Sequence, residues 1–149
     1  LTARENLQYF GSLYHLKGKQ LNSLIDDALA IVGLSGEADR RVEHLSGGMK
    51  RRINLVAGTL HSPRLLFLDE PNVGVDVVSK SVIIDYLKDL NRRGVSILYS
   101  SHHLLEAQEL CHRIGILSGG SLIAEDTPQK IIADYNVRNL EDLFLSLRN

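Results

Sequence analysis

The sequence has little that would tie it to an oxidising compartment or to the interior of a membrane. Its one cysteine, Cys111, excludes an internal disulfide and suits a reducing compartment. No apolar run approaches the roughly 18 residues that a membrane-spanning helix needs, so any membrane association is expected to come through a partner. The opening Leu1-Thr2-Ala3-Arg4-Glu5 lacks the basic-then-apolar layout of a signal peptide, and such a start is expected of a piece of a longer chain. An excess of one charge is missing too. Seventeen Lys and Arg stand against 18 Asp and Glu, for a net charge of −1. A nucleic-acid surface usually needs a clear basic excess, so no nucleic-acid partner is expected. Repeats and low-complexity segments are absent. His15, His44, His61 and His112 show no metal-ligand spacing. What remains is ordinary for one globular core: 149 residues, 44% hydrophobic and 23% charged.

The first third reads as helix. Thr2-Ala3-Arg4-Glu5 fits a capping box, after which Leu7, Phe10, Leu13 and Tyr14 form one expected apolar face. Gly18 breaks that helix. Leu21, Leu24, Ile25, Ala28, Leu29 and Val32 recur at helical spacing up to Gly33. A third helix starts near Ser46, with Met49, Ile53, Val56 and Leu60 on one stripe. The pattern then changes. Leu65-Leu66-Phe67-Leu68 is a continuous apolar run, suited to a parallel strand buried on both faces. Asp76 can cap the following helix, whose core face is Ile83, Tyr86, Leu87 and Leu90. Val95 to Tyr99 is a second strand, and a helix covers roughly His103 to Cys111. Arg113–Leu117 and Ser121–Ala124 read as two strands joined at Gly119-Gly120. Thr127-Pro128 opens another helix, and a last one runs near Leu140 to Leu147. Helices followed by strand–helix alternation give an α/β sheet layer with a helical appendage.

Three segments carry chemistry. In Leu45-Ser46-Gly47-Gly48-Met49 a serine and two glycines open a helix. Free N–H groups and the positive helix end make an anion site there, although the same residues also describe a plain capped helix. Leu65 to Glu70 delivers Asp69 and Glu70 at the C-terminal end of a strand, where open α/β sheets place their ligands. Adjacent strand residues point in different directions. One carboxylate is suited to hold Mg²⁺ and the other to orient or deprotonate an attacking water; a solvated strand end before Pro71 is the plainer alternative. In Ser100-Ser101-His102-His103, a histidine directly after the second strand can reach a phosphate. His103 reads better as part of a helix cap.

Together these segments resemble one family, the ATP-binding-cassette (ABC) ATPases. Leu45–Met49 resembles the signature motif, Leu65–Glu70 the Walker B strand with its glutamate, and Asn72-Val73-Gly74-Val75-Asp76 the D-loop. His102 sits where the family has its switch histidine. All four occur in order, with Gly48 and Asp69 separated by 21 positions, and Leu1–Leu16 resembles the start of the helical subdomain after the Q-loop. The resemblance implies a P-loop NTPase (RecA-like) sheet layer with an α-helical subdomain. It implies a helical subdomain over 1–60, an α/β core over 61–127 and a helical tail over 128–149. It also implies ATP and Mg²⁺ as ligands. Ser46, Gly47 and Gly48 would contact the γ-phosphate of an ATP on an opposite subunit. Asp69 would hold Mg²⁺ through water, Glu70 would be the general base, His102 would bind the γ-phosphate, and Asp76 would couple the two sites. Asn72 and Val77 stand where the family usually has Thr and Pro.

No G-x-x-x-x-G-K-[ST] phosphate cradle occurs in the sequence. The chain by itself is therefore expected to bind ATP weakly and to be marginally stable, as the C-terminal part of a subunit. The resemblance is strongest to bacterial type-2 exporters. It implies an ATPase subunit that is cytoplasmic, peripheral on the inner face of the membrane, dimeric (as a homo- or heterodimer), and docked on a membrane permease. A soluble ABC ATPase acting on ribosomes or DNA and a catalytically inactive interaction module are the alternatives. The short stretch before Leu45 leaves no room for the long coiled coil of DNA-repair relatives.

Overall fold

A computed structural model describes residues 1–147. Helices α1 (Ala3–Leu13), α2 (Gly18–Ile31) and α3 (Gly47–Ala57) come first, with two short 3₁₀ turns between α2 and α3. Strand β1 (Leu65–Asp69), helix α4 (Val77–Arg92) and strand β2 (Ser96–Ser100) follow. Then come α5 (Leu104–Leu110), β3 (Ile114–Ser118), β4 (Ser121–Asp126), α6 (Pro128–Asp134) and α7 (Leu140–Ser146). The chain divides into two compact units, Leu1–Ser100 and the residues from Ser101 onward. The boundary falls inside the segment expected to be one core.

In the first unit, local sequence sets the helix ends. Thr2 Oγ1 accepts from Glu5 N–H at 3.1 Å, and the Glu5 carboxylate accepts from Thr2 N–H at 2.8 Å, closing the expected capping box. Gly33 takes a left-handed backbone (φ 67) just past α2. This lets Leu34 N–H reach Leu29 O at 2.8 Å and Gly33 N–H reach Ala30 O at 3.1 Å, the paired bonds that close a helix end. The helices bury Leu7, Ile25, Leu29, Val32, Ile53, Val56, Ile83 and Leu87 in one core. Thr59 Oγ1 and Tyr86 Oη, 2.7 Å apart and buried, tie the end of α3 to α4, and burial pushes the Tyr86 hydroxyl above its ordinary pKa.

The apolar face expected on α1 is corrected by the structure. Its buried residues are Ala3, Leu7 and Gly11, while Phe10, Leu13 and Tyr14 are exposed. Gly11 is the reason: a Cβ there would overlap the Leu21 side chain, so α2 closes on the glycine instead of on the larger residues beside it. Tyr14 instead stacks on His61, with ring centroids 3.7 Å apart.

Strands β1 and β2 pair in parallel, with Leu65 opposite Ser96 and Asp69 opposite Ser100. Leu66, Leu68, Ile97 and Tyr99 pack on the core. The other face is bare: Leu65, Phe67 and Leu98 are 51%, 68% and 60% exposed. Burial on both faces was expected of this run. Helices α3 and α4 cover one side only, and no described element of the unit covers the other.

The second unit is smaller. β3 and β4 form an antiparallel hairpin whose turn residues Gly119 and Gly120 both have positive φ (56 and 79), as a two-residue turn of this hand requires. Thr127 caps α6 by accepting from Lys130 N–H at 3.3 Å, with Pro128 in the first turn. Ile116, Ile131, Leu140 and Leu143 form the core.

Candidate functional site

The candidate site in the first unit is built around the N-terminus of α3. Ser46 sits in extended backbone as the N-cap, and its hydroxyl accepts from Met49 N–H at 3.2 Å. Gly47 is exposed with open space around it. No acidic residue lies in the first turn, so the positive end of the helix is not neutralised by its own sequence. Gly48 is buried for a different reason. A Cβ at that position would overlap the Ser79 hydroxyl and the Asp76 carboxylate, so the missing side chain is what lets α3 meet the start of α4.

Asp76 caps α4 by accepting from Ser79 N–H at 2.9 Å. The Ser79 N–H and hydroxyl, with a smaller contribution from the Arg52 charge, hold its carboxyl below the ordinary range. Arg52 itself is buried and donates to Val32 O at 2.8 Å, at the end of α2.

At the end of β1 the strand register supplies a partner for Asp69. Ser100, its cross-strand neighbour, donates its hydroxyl to Asp69 Oδ1. The same hydroxyl accepts from Glu70 N–H at 3.3 Å, and that N–H also reaches Ser100 O at 3.1 Å. Glu70 has a left-handed backbone, φ 44, which costs a side-chain-bearing residue on the order of 1–3 kcal/mol. Pro71 follows and restricts it further. This turn takes Glu70 out of the strand's alternation. Beyond it, buried Asn72 donates to Tyr99 Oη at 3.0 Å.

A residue that sequence reasoning passed over holds this turn. Arg51, on α3, donates from Nε to Pro71 O at 2.8 Å and from Nη2 to Glu70 O at 3.1 Å and Asp69 O at 3.3 Å. Ser79 and Ser100 were also missed. The Ser100 contact follows from the parallel register, which a sequence does not display; those of Arg51 and Ser79 need tertiary packing. The structure thus brings Ser46–Gly48, Asp76, Asp69 and Glu70 onto one packed unit. His102 belongs to the second unit, where it is exposed and its ring lies 4.2 Å from that of His103. His103 occupies the N-cap of α5 without a side-chain cap bond.

The site residues fit a phosphate-bearing ligand with a divalent cation. A glycine-opened helix end with Gly47 exposed suits phosphate oxygens. Asp69 is an exposed carboxylate fixed by one hydroxyl, and Mg²⁺ needs only one or two carboxylates when phosphate and water complete its shell. No helix among the described residues is long and apolar enough to cross a membrane.

Known proteins point the same way. The family model described as ABC transporter matches residues 1–73. A linearmycin resistance ATP-binding protein of Bacillus subtilis is 43% identical over 127 residues, covering 85% of this chain and 41% of that protein. A Nod factor export ATP-binding protein of Neorhizobium galegae is 41% identical over 133 residues, covering 89% of this chain and 38% of its own length. The chain thus spans about two fifths of the length of these relatives. A solved ATP-binding subunit of an ABC transporter superposes with a TM-score of 0.86 at 26% identity, over 100% of this chain and 63% of that one. The fold is that of the P-loop NTPases. With a matching family model over residues 1–73, relatives near 40% identity along most of this chain and a superposing solved subunit, the chain belongs to the ATP-binding proteins of ABC transporters.

Proposed function

We propose that this chain forms part of an ATPase subunit that drives export through a separate membrane permease. The observation that carries the reading is the physical linkage of the α3 N-terminus to the carboxylate turn: Gly48 against Asp76 and Ser79, and Arg51 on the carbonyls of Asp69 to Pro71. A helix end suited to phosphate and a carboxylate pair suited to Mg²⁺ and water belong to one ATP-hydrolysing assembly. The names of the two relatives, one a resistance protein and one an export protein, support export.

Bound ATP with Mg²⁺ supplies the phosphoanhydride bond to be cleaved. Asp69 would hold the cation, with its carboxylate kept in place by the Ser100 hydroxyl. Glu70 accepts a proton from the attacking water, a contribution of about 10²–10⁴-fold for a placed general base. His102 is assigned to the γ-phosphate, as the family resemblance implies. Ser46, Gly47 and Gly48 present N–H groups to a nucleotide on an opposite subunit, so the working form is a dimer, homo- or heteromeric. Asp76 then links two sites, since it touches Gly48 while standing at the end of the carboxylate turn. On this reading 1–60 is the helical subdomain, 61–127 the catalytic core and 128–149 a helical tail, of which Arg148 and Asn149 lie outside the described residues. The subunit works in the cytoplasm, on the inner face of the membrane.

The test is ATP hydrolysis by the whole protein. Glu70→Gln is expected to lower the rate by at least about 100-fold, and an unchanged rate removes Glu70 as the base. The 149-residue chain alone, which has no G-x-x-x-x-G-K-[ST] sequence, is expected to bind ATP weakly, because that loop carries most of the triphosphate contacts. Calorimetric titration giving micromolar affinity would contradict this.

A further inference from the structure

We infer that Arg51 is a positioning residue for hydrolysis: its guanidinium sets the backbone of the turn that aims Glu70. The inference rests on the reading of Glu70 as the general base.

Three successive carbonyls, those of Asp69, Glu70 and Pro71, accept from one guanidinium at 3.3, 3.1 and 2.8 Å. Successive carbonyls of a strand point to opposite sides. They converge here because Glu70 leaves the strand with φ 44. A carboxylate-bearing residue in that region, followed by proline, persists only where its surroundings over-determine it. Two restraints do so. Glu70 N–H is held from the β2 side by Ser100, and the carbonyls are held from the α3 side by Arg51. The guanidinium suits the task because it is permanently charged, planar and donor-only, and its charge-assisted bonds outrank neutral ones. A lysine would keep the charge and lose the fork that spans several acceptors.

The placement also has a direction. Arg51 lies one turn beyond Gly48 on α3, so the helix whose N-terminus is proposed to face phosphate also grips the Glu70 turn. In these three bonds Arg51 reaches backbone carbonyls, which separates it from residues that touch the substrate.

The experiment uses the whole protein with Arg51→Lys, Arg51→Gln and Glu70→Gln. It measures kcat and KM for ATP, nucleotide affinity by titration, and the thermal midpoint. Positioning of Glu70 predicts that Arg51→Lys lowers kcat about 10-fold and Arg51→Gln more, with KM and ATP affinity within about threefold of the parent. The thermal midpoint of the lysine variant should stay within about 2 °C. Both variants within twofold of parental kcat, while Glu70→Gln is inactive, overturn the inference and leave the Glu70 reading standing. A fall in kcat for Arg51→Lys that tracks a lower thermal midpoint or a weaker ATP affinity overturns it in favour of a plain structural role. Because the lysine variant retains charge and stem, it decides the matter even where the glutamine variant does not fold. Parental kcat in Glu70→Gln overturns the reading of the base itself, and the inference with it.

Discussion

Two helix N-termini meet at the site, and they are built in opposite ways. The start of α4 is filled by its own sequence: the Asp76 carboxylate accepts from Ser79 N–H and carries the negative charge the helix end favours. The start of α3 has a neutral serine cap, an open glycine and no acid in its first turn. One end is closed by a carboxylate of its own sequence, and the other carries no acid of its own in its first turn. Gly48 joins them, because only a residue without a side chain lets Asp76 and Ser79 come so near. The difference is why the proposed phosphate contact falls on α3 and not on α4.

The largest expected effect comes from separating the two ends. Gly48→Ala places a methyl on the Ser79 hydroxyl and the Asp76 carboxylate, and overpacking of this kind costs about 1–3 kcal/mol. The neighbouring Gly47→Ala meets open space and should be neutral or stabilising by up to about 1 kcal/mol. Urea unfolding of both variants tests the pair, and equal destabilisation would erase the distinction between the two glycines. Next in size is Ser46→Ala, which removes the bond to Met49 N–H and should cost about 1 kcal/mol by the same measurement.

A gain is expected at the other helix end. Val77 is 84% exposed and occupies the first position of α4. Asp76 before it is extended, with ψ 159, which a following proline tolerates. Val77→Pro should therefore stabilise by about 0.4–1 kcal/mol, read as a higher urea midpoint, and a lower midpoint would show that the Val77 N–H is engaged. The smallest effect is on pH dependence. A carboxyl held below its ordinary 3.8 stabilises the fold above that value, and this contribution is lost as pH falls through the lower folded value. Asp76→Asn should flatten that part of the acid transition followed by circular dichroism. An identical acid profile would mean that the cap works without its charge.

Much of the fold could be read in advance because its signals are local. The capping boxes and caps at Thr2, Ser46, Asp76 and Thr127, the Gly33 helix end and the Gly119-Gly120 turn each lie within a few residues of the geometry they set. The α1 face was misread because a glycine, not a large apolar residue, marks the closest packing. The β1 run was expected to be covered twice, since its composition is apolar on both sides, whereas coverage depends on neighbours the strand does not encode. Asp69, Glu70 and the signature glycines stood out by motif. The hydrogen bonds of Ser100 and the grip of Arg51 did not, as they join residues 31 and about 20 positions apart.

The left-handed backbone of Glu70 carries a consequence for how this protein tolerates change. A sequence selected for stability alone would place glycine or asparagine at position 70, where φ 44 comes at least cost. The glutamate occupies that conformation against its own preference. With Glu70 as the proposed base, stability and activity pull in opposite directions at position 70: Glu70→Gly should yield a sturdier protein with a silent site, and screens for thermal robustness that ignore turnover will drift toward it.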